Sequence, residues 1–295
     1  MRAPPGRKGR AIRSWALLAP TIGTLAIFVI YPLGRAVYES LYAWDMLYPR
    51  RPVGLENYAA LAKSGALGQI ALRTLAFAGI VVTLSTALGL GLALLLNRPG
   101  RIYGFVRGAV FSAYVVSWVA VALLWMWILD DRAGAATAIV SALHLPAPRW
   151  LGDPAVAPIS LALVTVWKVT GYAMVVFLAA LQGIPRSLHE AAALDGAGPL
   201  RRFVHVTWPA LRPTTAFVVT TSLIASFQAF DVIRVMTQGG PVKSTTLFVY
   251  AIYEEVFVNL RVGRASALVV VFFVGIGALT WLNAWVLRRS AKGAS

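Results

Sequence analysis

The chain has 295 residues, of which 59% are hydrophobic and only 13% are charged. Soluble domains are about half apolar and about a quarter charged, so this composition excludes an ordinary soluble enzyme and indicates an integral membrane protein. The sequence has no cysteine, which excludes disulfide frameworks and thiolate metal sites, and its formal net charge of +16 is typical of basic cytoplasmic loops rather than of nucleic-acid binding.

Six segments of the chain are apolar over about 20 residues, the length that a helix needs to cross a bilayer. We place these spans at 15–33, 70–96, 105–129, 156–184, 214–236 and 265–287. The sequence therefore predicts an all-α integral membrane protein with a basic tail at 1–14, six transmembrane helices within 15–288 and a short tail at 289–295.

Basic residues are unevenly distributed among the segments that flank the spans. They are concentrated in the tail before the first span, in the loops after the second and fourth spans, and in the tail after the sixth. Because loops rich in lysine and arginine stay in the cytoplasm, both termini are predicted to be cytoplasmic. The first span is too long for a signal peptide and has no small-residue cleavage site after it, so we expect it to be retained.

Three longer connections are then predicted on the opposite side of the membrane, at 36–66, 130–155 and 237–264. The second contains GAATAIVSALHL, which predicts a short amphipathic helix at the membrane interface. In the third, a turn at Gly239-Gly240-Pro241 precedes an apolar run, which predicts a helix packed on the outer surface.

The connection between the fourth and fifth spans, at 185–213, is polar, basic and rich in turn-forming residues. The tetrapeptide SLHE, which begins at Ser187, has the spacing of a capping box and predicts the start of a short helix. Gly196 is expected to end this helix, Pro199 to begin a second one and Pro209 to close it. The pattern fits either an ordinary capped loop or a docking element for a cytoplasmic protein.

The same connection resembles the EAA loop of binding-protein-dependent ABC importer permeases. The matching residues are Glu190-Ala191-Ala192, Gly196 after three more residues, Val206 after nine more, and Trp208-Pro209 after one more. The segments LLAPTIGTLAIFVIYPL, VGLENYAAL, VWKVTGYAMVVFLAALQGIPRSLHEAAALDGAGPLRRF and AFDVIRVMTQGGPVKSTTLFVYAIYE are similar to the carbohydrate-uptake group of these permeases, which includes MalF and UgpA.

The chain departs from this family pattern at three places. Val206 and Trp208 stand where such permeases usually have isoleucine and leucine, and the bulky ring of Trp208 changes the end of the EAA loop. The segment VFSAYVVSW at 110–118 lacks the proline that bends the third span in relatives. We therefore expect a straighter third span.

The resemblance implies the MetI-like (MalF-like) permease fold of type I ABC importers and a division of labour among subunits. The implied partners are a second, similar permease, a homodimeric ATPase that binds ATP and Mg, and an extracytoplasmic substrate-binding protein or lipoprotein, assembled among the lipids of a bacterial inner membrane. This chain would bind no cofactor itself. It would form half of the path for a carbohydrate or a solute like sn-glycerol 3-phosphate.

In that family the short helix docks in a cleft of the ATPase. Carried onto this sequence, Glu190 would make a charged contact, while Ala191 and Ala192 would allow a close approach. Gly196 would permit the turn that follows, and Asp195 would cap the helix or pair locally.

Four polar residues within the predicted spans are candidates for the solute path: Lys168, Tyr172, Ser222 and Ser226. A charge at mid-membrane costs at least about 2.5–3.5 kcal/mol, so Lys168 should form an ion pair or carbonyl contacts, line a watery path, or snorkel to the interface. The two serines lie on one helix face, where they either join helices or contact the solute. The resemblance to the maltose permease, whose substrate contacts come from spans four and five, supports the path.

The sequence predicts no catalytic site. It has neither the G-x-x-x-x-G-K-[ST] motif that cradles ATP phosphates nor the zinc motif H-E-x-x-H, and its three histidines are too scattered to form one metal site. The alternative to an ABC importer is an ion-coupled secondary transporter. Such proteins usually have inverted repeats, and the sequence contains none.

Overall fold

The computed structural model describes residues 17–292 of the chain, with side chains described from 17 to 281. Within that range the regular structure is helical apart from one two-stranded antiparallel ladder. The predicted basic tail at 1–14 lies outside the described residues.

In chain order the elements are α1 (Leu17–Glu39), β1 (Tyr42–Ala43), β2 (Arg51–Pro52), α2 (Glu56–Lys63), α3 (Ala66–Leu96), α4 (Arg101–Val115), α5 (Trp118–Ile128), α6 (Ala135–Ala142), α7 (Ala157–Gln182), α8 (Arg186–Leu194), α9 (Pro199–Arg202), α10 (Trp208–Phe227), α11 (Phe230–Met236), α12 (Phe248–Tyr253) and α13 (Val262–Lys292). π-Helical turns occupy Ala26–Ile30 within α1, Phe203–Thr207 between α9 and α10, and Glu254–Val258 after α12.

Five helical stretches of the described chain are long and apolar enough to cross a membrane, judged by length and composition. They are α1, α3, α7, the stretch Pro199–Met236 and the segment Val262–Trp281 of α13. Helices α4 and α5 meet the same test only as a bent pair, which makes a sixth candidate. These stretches fall at the six positions where spans were predicted. The last helix extends to Lys292, beyond the predicted start of the C-terminal tail.

The third span is sharply bent, so the prediction of a straighter span was wrong. The axes of α4 and α5 differ by 104°. The bend lies at Val116 and Ser117, whose backbones are extended with ψ of 143° and 140°. Two extended residues interrupt the helical hydrogen bonds as effectively as a proline does, so the missing proline did not imply a straight helix.

The capping box predicted at Ser187 is also absent. Helix α8 begins one residue earlier, at Arg186, and Pro185 takes the cap position without a side-chain hydrogen bond. Ser187 therefore lies inside the first turn, where its hydroxyl no longer precedes the helix as a cap must.

Pro209 does not close the second helix of the connection. The helical path runs from Pro199 through the π-helical turn into α10, and Pro209 lies in the first turn of α10. In the π-helical turn the Trp208 N–H donates to the Phe203 carbonyl, five residues back. This wider turn accommodates a residue that has no N–H of its own, because π-turns and prolines both re-route the regular helical hydrogen bonds.

The described residues divide into two compact units, of which the first combines those of 1–66 with 252–275. Side-chain hydrogen bonds in this unit join the end of α1 to the β1–β2 ladder and to α2. The Asn57 amide donates to the carbonyls of Ser40 and Tyr42 at 2.8 and 3.0 Å, and the Tyr58 hydroxyl donates to the Ser40 hydroxyl at 2.7 Å. The buried Glu39 carboxylate accepts hydrogen bonds from two arginines, Arg35 and Arg50.

The second unit, residues 67–251 with 276–295, is organised around α7, which is buried along most of its length. Small residues allow its neighbours to come close, as is usual between membrane helices. Gly171 faces the backbone of α4 so closely that an added Cβ would lie 3.0 Å from the Phe111 Cα, and Gly89 of α3 approaches the Ala173 Cβ in the same way. The core cluster joins α3, α7 and α10 and consists of Ala93, Leu96, Ala173, Met174, Phe177, Leu178, Leu181, Leu211 and Val218.

The predicted helices of two longer connections are present. Helix α6 lies in the connection at 130–155, and α12 follows the turn at Gly239-Gly240-Pro241, whose last peptide bond is cis. Their placement on a membrane surface stays a prediction.

Candidate functional site

The first candidate site is the short helix α8 with the turn that follows it. The helix ends in a Schellman motif, in which the Gly196 N–H donates to the Ala193 carbonyl at 3.1 Å and the Ala197 N–H donates to the Ala192 carbonyl at 2.9 Å. Gly196 has φ of +75°, a left-handed conformation that costs other residues free energy. The prediction that Gly196 ends this helix is confirmed.

Helix α8 is not covered by the rest of the described chain. In the described chain no residue of α8 is buried, and Glu190, Ala191, Asp195 and Gly196 are exposed, whereas Ala192 is half-buried. Large apolar side chains on α8 and on the segment after it are also exposed: Leu188 is 50% exposed, Leu194 90%, Leu200 75% and Val204 48%. The rest of the described chain therefore leaves much of the apolar surface of this segment uncovered.

The exposed helix is attached tightly to the apolar stretches on either side. Three residues separate the end of α7 from α8, and four separate α8 from α9. On the far side the helical path continues into α10, with Pro209 in its first turn and Trp208 packed against Phe203 at a ring distance of 6.5 Å. Only short segments therefore separate α8 from α7 and from the helical path that leads into α10.

The second candidate site is a cavity of 230 Å³ between α4, α7 and α10. Its lining residues are Tyr114, Val169, Tyr172, Thr221, Ser222, Ile224, Ala225 and Gln228. The rings of Tyr114 and Tyr172 stack with their centroids 4.9 Å apart and an interplanar angle of 24°. Aromatic faces, hydroxyl groups and an amide are together suited to a hydroxylated solute.

The structure brings two of the four predicted path residues to this cavity. Tyr172 and Ser222 line it, and the Ser222 hydroxyl accepts a hydrogen bond of 3.2 Å from Ser85 on α3. Ser226 is fully buried one turn further along, and its hydroxyl donates to the Leu223 carbonyl at 2.7 Å. Its contact is therefore within its own helix.

Lys168 lies beside the cavity wall, at the break between α4 and α5. Its side chain is almost completely buried, with 2% exposure. The ammonium donates hydrogen bonds to the backbone carbonyls of Ala113 at 3.2 Å, Tyr114 at 3.0 Å and Val116. It also lies 4.8 Å from the centre of the Trp118 ring and 5.9 Å from that of Tyr114.

Six of the eight lining residues were not among the predicted path residues, and Tyr114 and Thr221 are two of these six. Tyr114 reaches the cavity because α4 ends beside α7, and no periodicity in the sequence gives the place where a broken span ends. Thr221 is next to the predicted Ser222 in sequence but lies on a neighbouring helix face. Hydropathy alone did not indicate that this face also reaches the cavity. Among the described residues no group of histidine, aspartate or glutamate side chains is placed to hold a metal ion.

Comparisons with known proteins identify the family. The model of the binding-protein-dependent transport system inner membrane component matches residues 85–292. The sulfoquinovosyl glycerol transport system permease protein SmoG of Agrobacterium fabrum is 32% identical over 87% of this chain and 84% of its own length. The sn-glycerol-3-phosphate transport system permease protein UgpA of Yersinia pestis is 32% identical over 98% of this chain and 99% of its own.

Solved structures show the same fold. A chain from the crystal structure of a bacterial ABC transporter involved in the import of the acidic polysaccharide alginate superposes with a TM-score of 0.80, over 95% of this chain and 96% of that chain, at 23% identity. The family match, the long similarity to two transport permeases and this fold agree with one another. The chain is therefore a multi-pass membrane permease that belongs to the family of binding-protein-dependent transport system inner membrane components.

Proposed function

We propose that this chain forms half of the path for a carbohydrate or a solute like sn-glycerol 3-phosphate in an ATP-driven importer, and that residues 185–213 couple it to a separate ATPase. The observation that carries the coupling role is α8. It is a short helix with no buried residue within the described chain, it presents exposed leucines, and it is joined to α7 by three residues. A helix of this kind is unstable by itself and gains contacts when a partner covers it.

The direction of coupling follows from the distribution of charge. The basic loops favour a cytoplasmic position for α8, where an ATPase that binds ATP and Mg is able to reach it. When the ATPase dimer closes, it moves α8 as a rigid body, and the short connections transmit that movement to α7 and α10. Glu190 contacts the ATPase, Ala191 and Ala192 allow close approach, and Gly196 and Asp195 form the turn behind them.

The remaining partners follow from the family. A binding-protein-dependent system delivers solute by an extracytoplasmic protein, and a second, similar permease supplies the other half of the path in a bacterial inner membrane. A crystal structure of the alginate transporter in complex with a pentasaccharide-bound periplasmic protein superposes on this chain with a TM-score of 0.80, which supports an assembly of that kind.

The cavity supports the assignment of the solute class. None of its described lining residues is charged, and the lining combines two stacked tyrosines with hydroxyl and amide groups. These groups recognise the hydroxylated carbon skeleton that sugars and glycerol derivatives share, and sulfoquinovosyl glycerol and sn-glycerol 3-phosphate are the solutes in the names of two relatives. The alternative, an ion-coupled secondary transporter, has no support from the family match.

The test compares Gly196→Asp with Gly198→Asp in the complete importer in proteoliposomes. Both substitutions introduce the same carboxylate close to α8. Of the two positions, only 196 has a left-handed backbone, since Gly198 has φ of −66°. At Gly198 nothing lies within 4 Å of an added Cβ, so a side chain fits there. We expect the Gly196→Asp protein to reach the membrane but to lose most ATP-driven uptake, whereas the Gly198→Asp protein keeps it.

Equal uptake by the two variants would count against a coupling role for this turn. Glu190→Lys provides an independent check, since it reverses an exposed charge without changing the backbone. We expect this variant to hydrolyse ATP in the complex without importing solute. Uptake by the purified chain alone in vesicles without nucleotide would contradict the proposed function as a whole.

A further inference from the structure

The bend between α4 and α5 leaves backbone carbonyls without partners in their own helix. Helix α4 ends at Val115, and Val116 and Ser117 leave the helical conformation. The last carbonyls of a helix have no partner within it. Within a membrane such groups are satisfied by partners inside the protein or by water in a cavity, so the partners of these carbonyls help to determine the geometry of the bend.

The Lys168 ammonium supplies those partners. An ammonium group has three N–H donors and no acceptor, and in this structure it donates to three carbonyls, those of Ala113, Tyr114 and Val116. The carbonyl end of a helix carries partial negative charge, which favours a cation there. The faces of Trp118 and Tyr114 add cation–π contacts at 4.8 and 5.9 Å from the ring centres.

Lys168 is also held in place from its own side. It lies on α7 three residues before Gly171, the position at which α7 touches the backbone of α4. Both residues therefore face α4. The close contact at Gly171 fixes the distance between the two helices, and Lys168 fixes where α4 stops.

We infer that Lys168 is a positioning residue for the solute cavity, which it affects through the end of α4 rather than by touching the solute. Tyr114 lies in the last turn of α4, and its own carbonyl is one of the three acceptors. Its ring stacks on Tyr172 and forms part of the cavity lining. By fixing the carbonyls of this turn, Lys168 sets the position of one of the two rings. The inference rests on the proposed function of the cavity.

The bend itself gives a readout that does not depend on any solute. Because this chain has no cysteine, a cysteine pair at Phe105 and Trp127, both well exposed, is spin-labelled on the purified chain without background before the importer is assembled. With a rise of 1.5 Å per residue and the observed angle of 104°, the labelled backbones are about 20 Å apart, whereas a straight helix would separate them by about 33 Å.

The decisive variants are Lys168→Met and Lys168→Arg in the assembled importer. Methionine keeps a long unbranched side chain but donates no hydrogen bond, so we expect the label distance to increase or broaden by several ångströms and solute-stimulated ATP hydrolysis per complex to fall at least fivefold. Arginine has five N–H donors, and we expect it to restore the distance and at least half of the stimulation. Thr165→Val, on the same helix, is the control, since the Thr165 hydroxyl bonds only within α7.

A wild-type distance in the Lys168→Met complex would overturn the inference, and so would failure of Lys168→Arg to restore it. If Lys168→Met does not assemble, Lys168→Gln replaces it, because its amide has two donors and no charge, and the same increase in distance is expected to a smaller extent. Tyr114→Ala distinguishes the effect on the bend from the effect on the cavity, since it removes the ring but not the carbonyl. We expect a wild-type distance with lost stimulation, and normal stimulation in this variant would overturn the proposed solute path.

Discussion

At the scale of single residues, the packing of the second unit depends on a glycine that faces a backbone rather than a side chain. A methyl group at position 171 would lie 3.0 Å from the Phe111 Cα and closer still to the Val110 carbonyl. Backbone cannot rotate away as a flexible side chain does. We expect Gly171→Ala to push α4 from α7 and to destabilise the solubilised complex by about 1–3 kcal/mol, the usual cost of overpacking, with a lower midpoint of thermal unfolding.

The matched control for that substitution lies on α3. Gly91 is also in the middle of a helix, but nothing lies within 4 Å of an added Cβ. Alanine is favoured over glycine in a helix by about 0.5–1 kcal/mol, so Gly91→Ala should leave the midpoint unchanged or raise it. A loss of similar size in both variants would mean that the close contact at Gly171 does not determine its effect.

Individual residues were predictable from the sequence where the local backbone alone decides. Gly196 ends α8 as predicted, because a Schellman turn requires a residue that tolerates positive φ. Ser187 failed as a cap because Pro185 takes the cap position and the helix begins at Arg186, a competition between two local signals. Tyr114 was missed because its role depends on contacts between helices that are distant in sequence.

At the scale of elements, α8 and the turn after it carry most of their apolar surface on the outside. Leu194 is 90% exposed, and burying a leucine side chain typically contributes about 1.5–3 kcal/mol. If an ATPase covers this element, Leu194→Asp should weaken the association at least about tenfold, since tenfold corresponds to about 1.4 kcal/mol. The measurement is the amount of ATPase that remains with the solubilised permease at decreasing concentration.

An exposed leucine elsewhere separates docking from general effects of added charge. Leu145 is 58% exposed and follows α6, outside the element that contains α8. Leu145→Asp should leave the association unchanged. Equal weakening by both substitutions would contradict the assignment of α8 as the docking surface.

The elements also show where hydropathy stops being informative. It placed all the candidate spans, since a run of about 20 apolar residues is a strong signal. It did not show that α4 and α5 meet at 104°, because Val116 and Ser117 are no less compatible with a helix than their neighbours. Pro209 predicted the end of a helix where the helical path in fact continues, because a π-helical turn precedes it.

At the scale of the whole molecule, the assignment of function joins two sites with different physical character. The cavity is built from buried and exposed residues of the second unit, and its lining is determined by the way α4, α7 and α10 pack. Helix α8, the proposed coupling helix, has no buried residue among those described. Its proposed role depends on contacts with other proteins. Sequence patterns predicted the local structure of α8 and its turn better than the lining of the cavity, because the turn chemistry is local and the motif is contiguous.

The prediction that bears on the whole molecule is its orientation in the membrane. The excess of basic residues in alternate loops predicts that α8 lies in the cytoplasm and the connection at 130–155 outside. In a chain without cysteine, Leu194→Cys and Leu145→Cys each introduce one exposed thiol. An impermeant thiol reagent should label position 145 in right-side-out vesicles and position 194 only in inverted vesicles or after permeabilisation. Labelling of position 194 from the outside would remove α8 from the reach of any cytoplasmic ATPase, and the proposed coupling could not operate.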